Sequence, residues 1–252
     1  MSAALARADP PLDCALCPRL VDYRKALKAE EPSWFNAPVP SFGDPDARLL
    51  VVGLAPGRAG ANRTGRPFTG DYAGELLYPT LIRYGFARGT FGARIDDGLE
   101  LTDCLITNAV RCVPPENKPT GAEAKSCRPF LVREIEAMER LQVILCLGSL
   151  SHGAVLTTLA VRKSHYPFGH GAVHEIGGLT VADSPVSAAQ LGGVLDLLAT
   201  AGAQAEPGFH EPVAPCVAAG KPVQLRHHGV VIDDFAYGSQ RSGIERGIEQ
   251  DP

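Results

Sequence analysis

The chain has 252 residues, is 45% hydrophobic and 21% charged, and carries 24 Lys+Arg against 28 Asp+Glu. Such values fit a globular chain with apolar material for one generous core or two modest ones, and they exclude a uniformly basic nucleic-acid coat. Residues 1–184 hold 20 basic and 20 acidic side chains while 185–252 hold 4 and 8, so the whole net charge of −4 sits in the C-terminal quarter.

Arg48 to Gly57 is a short apolar run ending in Pro and Gly, the pattern of a buried strand that delivers a loop. Ala73 to Phe86 then places Leu76, Leu77, Leu81 and Ile82 at helical spacing, with Gly85 near the end. Cys104 to Val110 reads as a second buried strand. Thr120 is a predicted cap for a helix running to about Arg140, with Glu123 three residues on as in a capping box. Leu141 to Leu147 is a third strand, a helix follows from Ser149, and Gly178 to Ala182 is a fourth strand. This alternation predicts an α/β fold in three layers around a central, mostly parallel four-stranded sheet, with ligands at the carboxyl ends of the strands. Beyond Ala205 the sequence turns polar and rich in Pro and Gly, so a domain over residues 1–198 and a flexible tail over 199–252 are expected.

No apolar run reaches the roughly 18 residues of a membrane span, and Met1 to Pro11 lacks the apolar stretch of a secretory signal, which predicts a cytoplasmic, membrane-free protein. Its seven cysteines (14, 17, 104, 112, 127, 146 and 216) are then reduced thiols, and the odd number disfavours a closed disulfide set. Cys14 and Cys17 form one pair, and Cys112 and Cys127, separated by 14 residues, form a second. Four thiolates suit an iron–sulfur cluster or a tetrahedral zinc, and spacing alone leaves both open beside a plain redox pair. Cys104 and Cys146, inside apolar strands, read as inert core.

Between Gly53 and Gly74 lie six glycines, three arginines and one acid, Asp71. Small residues let a backbone approach a bulky ligand, and the guanidiniums of Arg58, Arg63 and Arg66 suit phosphate oxygens. The Lys-Ser/Thr ending of a P-loop is missing, which excludes a nucleoside triphosphate cradle.

Three segments together resemble the type-5 uracil-DNA glycosylases: Cys14 to Leu20 (CALCPRL), Gly53 to Gly74 (GLAPGRAGANRTGRPFTGDYAG) and Thr107 to Thr120 (TNAVRCVPPENKPT). The resemblance covers residues 12 to 184 or so, and the long central loop makes it specific. It implies that Cys14, Cys17, Cys112 and Cys127 hold a 4Fe-4S cluster of structural role, resolving iron over zinc. It also implies that the chain removes uracil or another deaminated base from DNA; Arg58, Arg63, Arg66, Arg111 and Lys118 are the residues expected to make a local positive face toward it, and a monomer is expected. Asp71 is then the catalytic carboxylate, since an oxocarbenium-like sugar needs a nearby negative charge and a water that is oriented or deprotonated; the plainer role for it is a helix cap. Gly53 and Leu54 open the base pocket, Leu54 being apolar where other glycosylases carry a polar residue. Phe68 offers a stacking face for the extruded base, unless it is plain core. Asn108 presents a donor and an acceptor that match uracil O4 and N3–H, unless its amide serves turn backbone.

The resemblance stops near Ser184. A type-5 enzyme is expected to carry a His-containing motif there, followed by Ser, Arg and Asn, whereas this chain reads ADSPVSAAQL from Ala182 to Leu191. His170 and His174 read as structural, and His152 and His165 have no visible partner. Two other classes stay open: a lesion-binding protein that has lost turnover, and an iron–sulfur electron carrier. The break coincides with the shift to acidic, Pro/Gly-rich sequence, which a changed reading frame from about residue 185 explains. Translating the coding DNA in all three frames is expected to reveal a His-Pro-Ser-like or Asn-Thr-Gly-like segment; the absence of both from every frame rejects that explanation.

Overall fold

The structure, a computed structural model, describes residues 9–70, 72–183, 192–193 and 195–196, together with the backbone of two short strands at Arg226–His227 and Val230–Val231. Asp71, Cys216, His228 and the rest of the expected tail lie outside the described residues.

The first elements are α1 (Pro18–Glu30), β1 (Phe42–Gly43), β2 (Leu49–Gly53) and the short α2 (Ala61–Thr64). α3 (Tyr72–Arg83), β3 (Ala87–Arg88), β4 (Glu100–Leu101), β5 (Cys104–Asn108) and α4 (Gly121–Ala137) follow. β6 (Val143–Cys146), α5 (Ser149–Thr158), β7 (Val173–Ile176) and β8 (Leu179–Asp183) complete the main body, and the two C-terminal strands, β9 and β10, pair antiparallel with each other. The central sheet runs β1-β5-β2-β6-β8-β7. β5, β2, β6 and β8 are mutually parallel, and they are the four strands the sequence predicts. The sheet nevertheless has six strands, because β1 and β7 add antiparallel edges. β1 is too short to show a pattern, and only Ile176 of β7 is buried, so neither edge carries an apolar signal.

Every residue of β2 and β5 is buried, as parallel strands covered on both faces require. Period-two alternation still divides their side chains. Leu50, Val52, Ile144 and Val181 meet Leu131 and Ile135 of α4 and Val155 and Leu156 of α5. Leu49, Val51, Leu145 and Ala182 meet Leu77, Tyr78 and Leu81 of α3, joined by Leu195. This is the three-layer α/β arrangement. α4 starts with the expected capping box, Thr120 and Glu123 each bonding the other's backbone, and Glu123 also takes a two-pronged hydrogen bond from Arg19 of α1. α1 itself was not legible in sequence: only Leu20, Arg24 and Leu27 turn inward along its 13 residues.

Two arginines expected on a DNA-facing surface are instead inside. Arg66 is 1% exposed and grips Asp97 through Nη1 (2.8 Å) and Nη2 (2.6 Å). Phe42, Tyr78 and Phe91 surround its guanidinium at 5.2–5.6 Å from their ring centres. Arg111, also 1% exposed, donates to Asp9 and Ser41 at 2.7 Å and to Glu134 at 2.8 Å. Neither can reach a phosphate: each has a fixed carboxylate partner within the fold.

Breaking such a pair strands a buried charge, so Arg66→Ala is expected to lower the unfolding free energy by about 3–5 kcal/mol in urea titrations. The Arg66 hydrogen bonds hold the Asp97 carboxyl well below the usual carboxylate range. A depressed carboxylate stabilises the fold above its unfolded pKa of about 4, and that contribution is lost as the pH falls further. Asp97→Asn is expected to flatten this acid limb in melts at pH 5 and below; an unchanged pH dependence would contradict the assignment.

Candidate active site and cysteine cluster

Parallel pairing of β2 with β5 sets Gly53 directly beside Asn108 at the carboxyl ends of both strands. Phe68 closes on them from the glycine-rich loop, in a left-handed backbone conformation (φ 53°). A Cβ on Gly53 would lie 2.4 Å from Asn108 Oδ1 and 2.5 Å from Phe68 Cζ, so an amide and an aromatic edge converge on a position that only glycine can fill. Leu54, half-buried, follows in the loop, and its carbonyl accepts from the N–H of Val110 at 2.9 Å.

The loop is braced rather than slack. Gly60 passes so close to the Thr69 carbonyl that an added Cβ would sit 2.2 Å from that oxygen. Thr64 and Thr69 share a 2.5 Å hydroxyl contact, Thr69 Oγ1 donates to the Arg66 carbonyl at 3.0 Å, and Tyr78 Oη donates to the Pro67 carbonyl at 2.6 Å. Asn62 Nδ2 donates to Asn36 Oδ1 at 2.8 Å, tying the loop to the segment after α1. Asp71 lies outside the described residues, between Gly70 and the start of α3. Arg58 and Arg63 are exposed; Arg58 pairs with Glu30 at 2.8 Å and covers the Trp34 ring, and Arg63 Nε donates to the Ala59 carbonyl at 2.8 Å.

Cys14, Cys17, Cys112 and Cys127 meet at one cavity, lined also by Leu20, Arg24, Val110 and Phe130. Cys17 immediately precedes α1, Cys112 follows β5 and Cys127 lies on α4. Burial pushes the Cys112 thiol up to about 12 and raises Cys17 and Cys127, and the neighbouring sulfurs add to the rise for each of the three. Several features oppose it: the N–H of Arg111 donates to Cys127 Sγ at 3.3 Å and its guanidinium favours that thiolate, a Ser126 hydrogen bond and the Arg24 guanidinium favour the charged form of Cys17, and Arg24 also favours that of Cys112. A soft-metal centre fits this donor set, because only added positive charge holds four adjacent sulfurs as thiolates.

A further group escaped the sequence analysis. His152, expected to lack a partner, meets Asp183 and the Tyr166 carbonyl. With Cys146, these two residues form a set of potential metal ligands. Contacts across 31 residues and between separate elements leave no local signal.

Residues 40–207 match the family model for the Uracil DNA glycosylase superfamily. A type-5 uracil-DNA glycosylase of Thermus thermophilus is 44% identical over 171 residues, which is 66% of this chain and 77% of that protein. One from Pyrobaculum aerophilum is 41% identical over 174 residues, 68% of this chain and 76% of that protein. A type-4 uracil-DNA glycosylase of Pyrobaculum aerophilum is 35% identical over 151 residues, 60% of this chain and 63% of that protein. The chain belongs to the uracil-DNA glycosylase superfamily, in its type-5 family.

Gly53→Ala tests the close approach. It is expected to displace Phe68 and Asn108 and to lower base release at least tenfold while the melting temperature falls only modestly; undiminished release would show that the three residues do not act together.

Proposed function

We propose that the protein is a monofunctional DNA-repair glycosylase that hydrolyses the N-glycosidic bond of uracil, or of a related deaminated base, swung out of DNA. The meeting of Gly53, Phe68 and Asn108 at the carboxyl end of the sheet carries this reading. A flat base fits over a glycine with no side chain in the way. The Phe68 ring replaces the lost stacking, worth about 1–3 kcal/mol, and the Asn108 amide donates to O4 and accepts from N3–H. Leu54 supplies an apolar wall.

Bond breaking places positive charge on the sugar and negative charge on the departing base. Asp71 faces the first demand: its carboxylate steadies the cation and orients a water that adds to C1′, while the base leaves with the bonding pair and is protonated. The family's histidine, which serves the second demand, has no counterpart in Ala182 to Leu191. Losing one such donor slows turnover by about 10²–10³-fold. Arg58, Arg63 and Lys118 supply the positive face toward DNA phosphates.

The four cysteines would hold a 4Fe-4S cluster. When bound, it supplies a covalent staple between the start of α1, the segment after β5 and α4, and no redox step is assigned to it. The domain runs to about residue 198, since Leu195 still packs with Leu77 and Leu81, and the protein acts as a monomer. Among the described residues no helix is long and apolar enough to cross a membrane. Thiol-based metal binding suits the reducing cytoplasm.

Release of free uracil from a uracil-containing oligonucleotide, by protein whose iron content has been verified, is the expected activity, and Asp71→Asn should abolish it. Equal release by that variant defeats the assignment. Tight binding without any release by the unaltered protein identifies a lesion-binding protein instead. Cys112→Ser is expected to lose iron and several degrees of melting temperature together.

A further inference from the structure

The carboxyl ends of β6 and β8 hold a second set of chemistry-bearing side chains that base excision leaves unused. Cys146 ends β6 and Asp183 ends β8, and the two are paired in register. His152 lies in the first turn of α5, which covers that face of the sheet. Cys146 and Asp183 are 0% exposed and His152 is 4% exposed. One potential ligand atom from each lies within 4.8 Å of the other two.

The three side chains, with His174 beside them, crowd polar atoms into one buried point. His152 Nε2 donates to the Tyr166 carbonyl at 2.9 Å, which leaves the lone pair of a neutral ring on Nδ1. That Nδ1 stands 2.5 Å from Asp183 Oδ1, within ion-pairing distance. Asp183 Oδ2 is already served by the Gly169 N–H at 3.0 Å. His174 Nε2, also buried, lies 3.7 Å from the same Oδ2. A carboxylate inside a core is costly unless positive charge lies beside it, and either a charged imidazole or a bound cation supplies that charge.

We propose that Cys146, His152 and Asp183 form a mononuclear site for a borderline-soft divalent cation, zinc in the first instance, with His174 as the nearest fourth donor. Thiolate, imidazole and carboxylate together are a zinc donor set, and the fixed Nε2 proton orients the ring for coordination through Nδ1. Ligand bonds of about 2.0–2.3 Å require Nδ1 and Oδ1 to part slightly from their present separation. Binding displaces the Cys146 thiol proton to solvent and involves no redox change. A bound ion would clip β6, β8 and the first turn of α5 together just before residue 184, and it would be distinct from the four-cysteine centre.

The test uses the full chain with its iron in place, equilibrated with zinc against a competing chelator and analysed for both metals. About one zinc per chain beyond the iron is expected. Cobalt in place of zinc should give a thiolate charge-transfer band that Cys146→Ser removes. His152→Ala should abolish the zinc equivalent at unchanged iron content, and His174→Ala should weaken it about 10–100-fold. No zinc uptake by the unaltered protein overturns the proposal, and that measurement depends on no variant. So does a zinc equivalent that survives Cys146→Ser and His152→Ala but disappears with Cys112→Ser, which would place it at the other cysteines.

Discussion

A missing Cβ governs the candidate site. Strand pairing brings residues 53 and 108 side by side whatever their identity, but only glycine at 53 leaves room for the Asn108 amide and the Phe68 ring, since any side chain would begin within 2.5 Å of both. Phe68 pays for its position with a left-handed backbone, a conformation that non-glycine residues hold only when their surroundings insist. The surroundings here are the buried Thr69, the Tyr78 hydroxyl on the Pro67 carbonyl, and the Arg66–Asp97 pair one step further out. One side of the loop is therefore part of the core, which fixes its backbone among the described residues.

Arg111 has a comparable place beneath the cysteines. Its backbone N–H points at Cys127 Sγ while its guanidinium collects Asp9, Ser41 and Glu134, and Ser41 also donates to Glu134. One residue thus links the N-terminal segment, the approach to β1, the chain after β5 and α4. Burying a guanidinium is costly unless each charge is matched. With two carboxylates and a hydroxyl around it, the arginine acts as a fixed polar frame beside the thiol pocket, whose own lining joins Arg24 and Ser126 to the apolar Leu20, Val110 and Phe130.

The parallel sheet was legible because its strands are apolar on both faces, so each reads as an unbroken run closed by turn residues. α4 announced itself through Thr120 and Glu123, and the loop through its glycines. What escaped has a physical reason in each case. β1 and β7 lie at the edges and bury too little to leave a pattern. α1 is held by Arg24, which donates to the Leu12 and Cys14 carbonyls, more than by an apolar stripe. A guanidinium in a glycine-rich loop looks the same in sequence whether it meets a phosphate or an aspartate 31 residues on, and Arg66 took the second course. The pairing of His152 with Asp183 depends on strand order, which periodicity does not encode.

The buried arginines also change how a chain without a basic excess can hold DNA. Arg66 and Arg111 are held inside by carboxylates, while Arg58 and Arg63 of the glycine-rich loop and Lys118 remain exposed. Arg58 is well placed for the exchange that DNA binding demands: its partner Glu30 and the guanidinium itself are both about half exposed. An exposed pair of this kind is worth at most about 1 kcal/mol, so a phosphate can replace the carboxylate at little cost. The Trp34 ring beneath it preserves the guanidinium's orientation through the exchange.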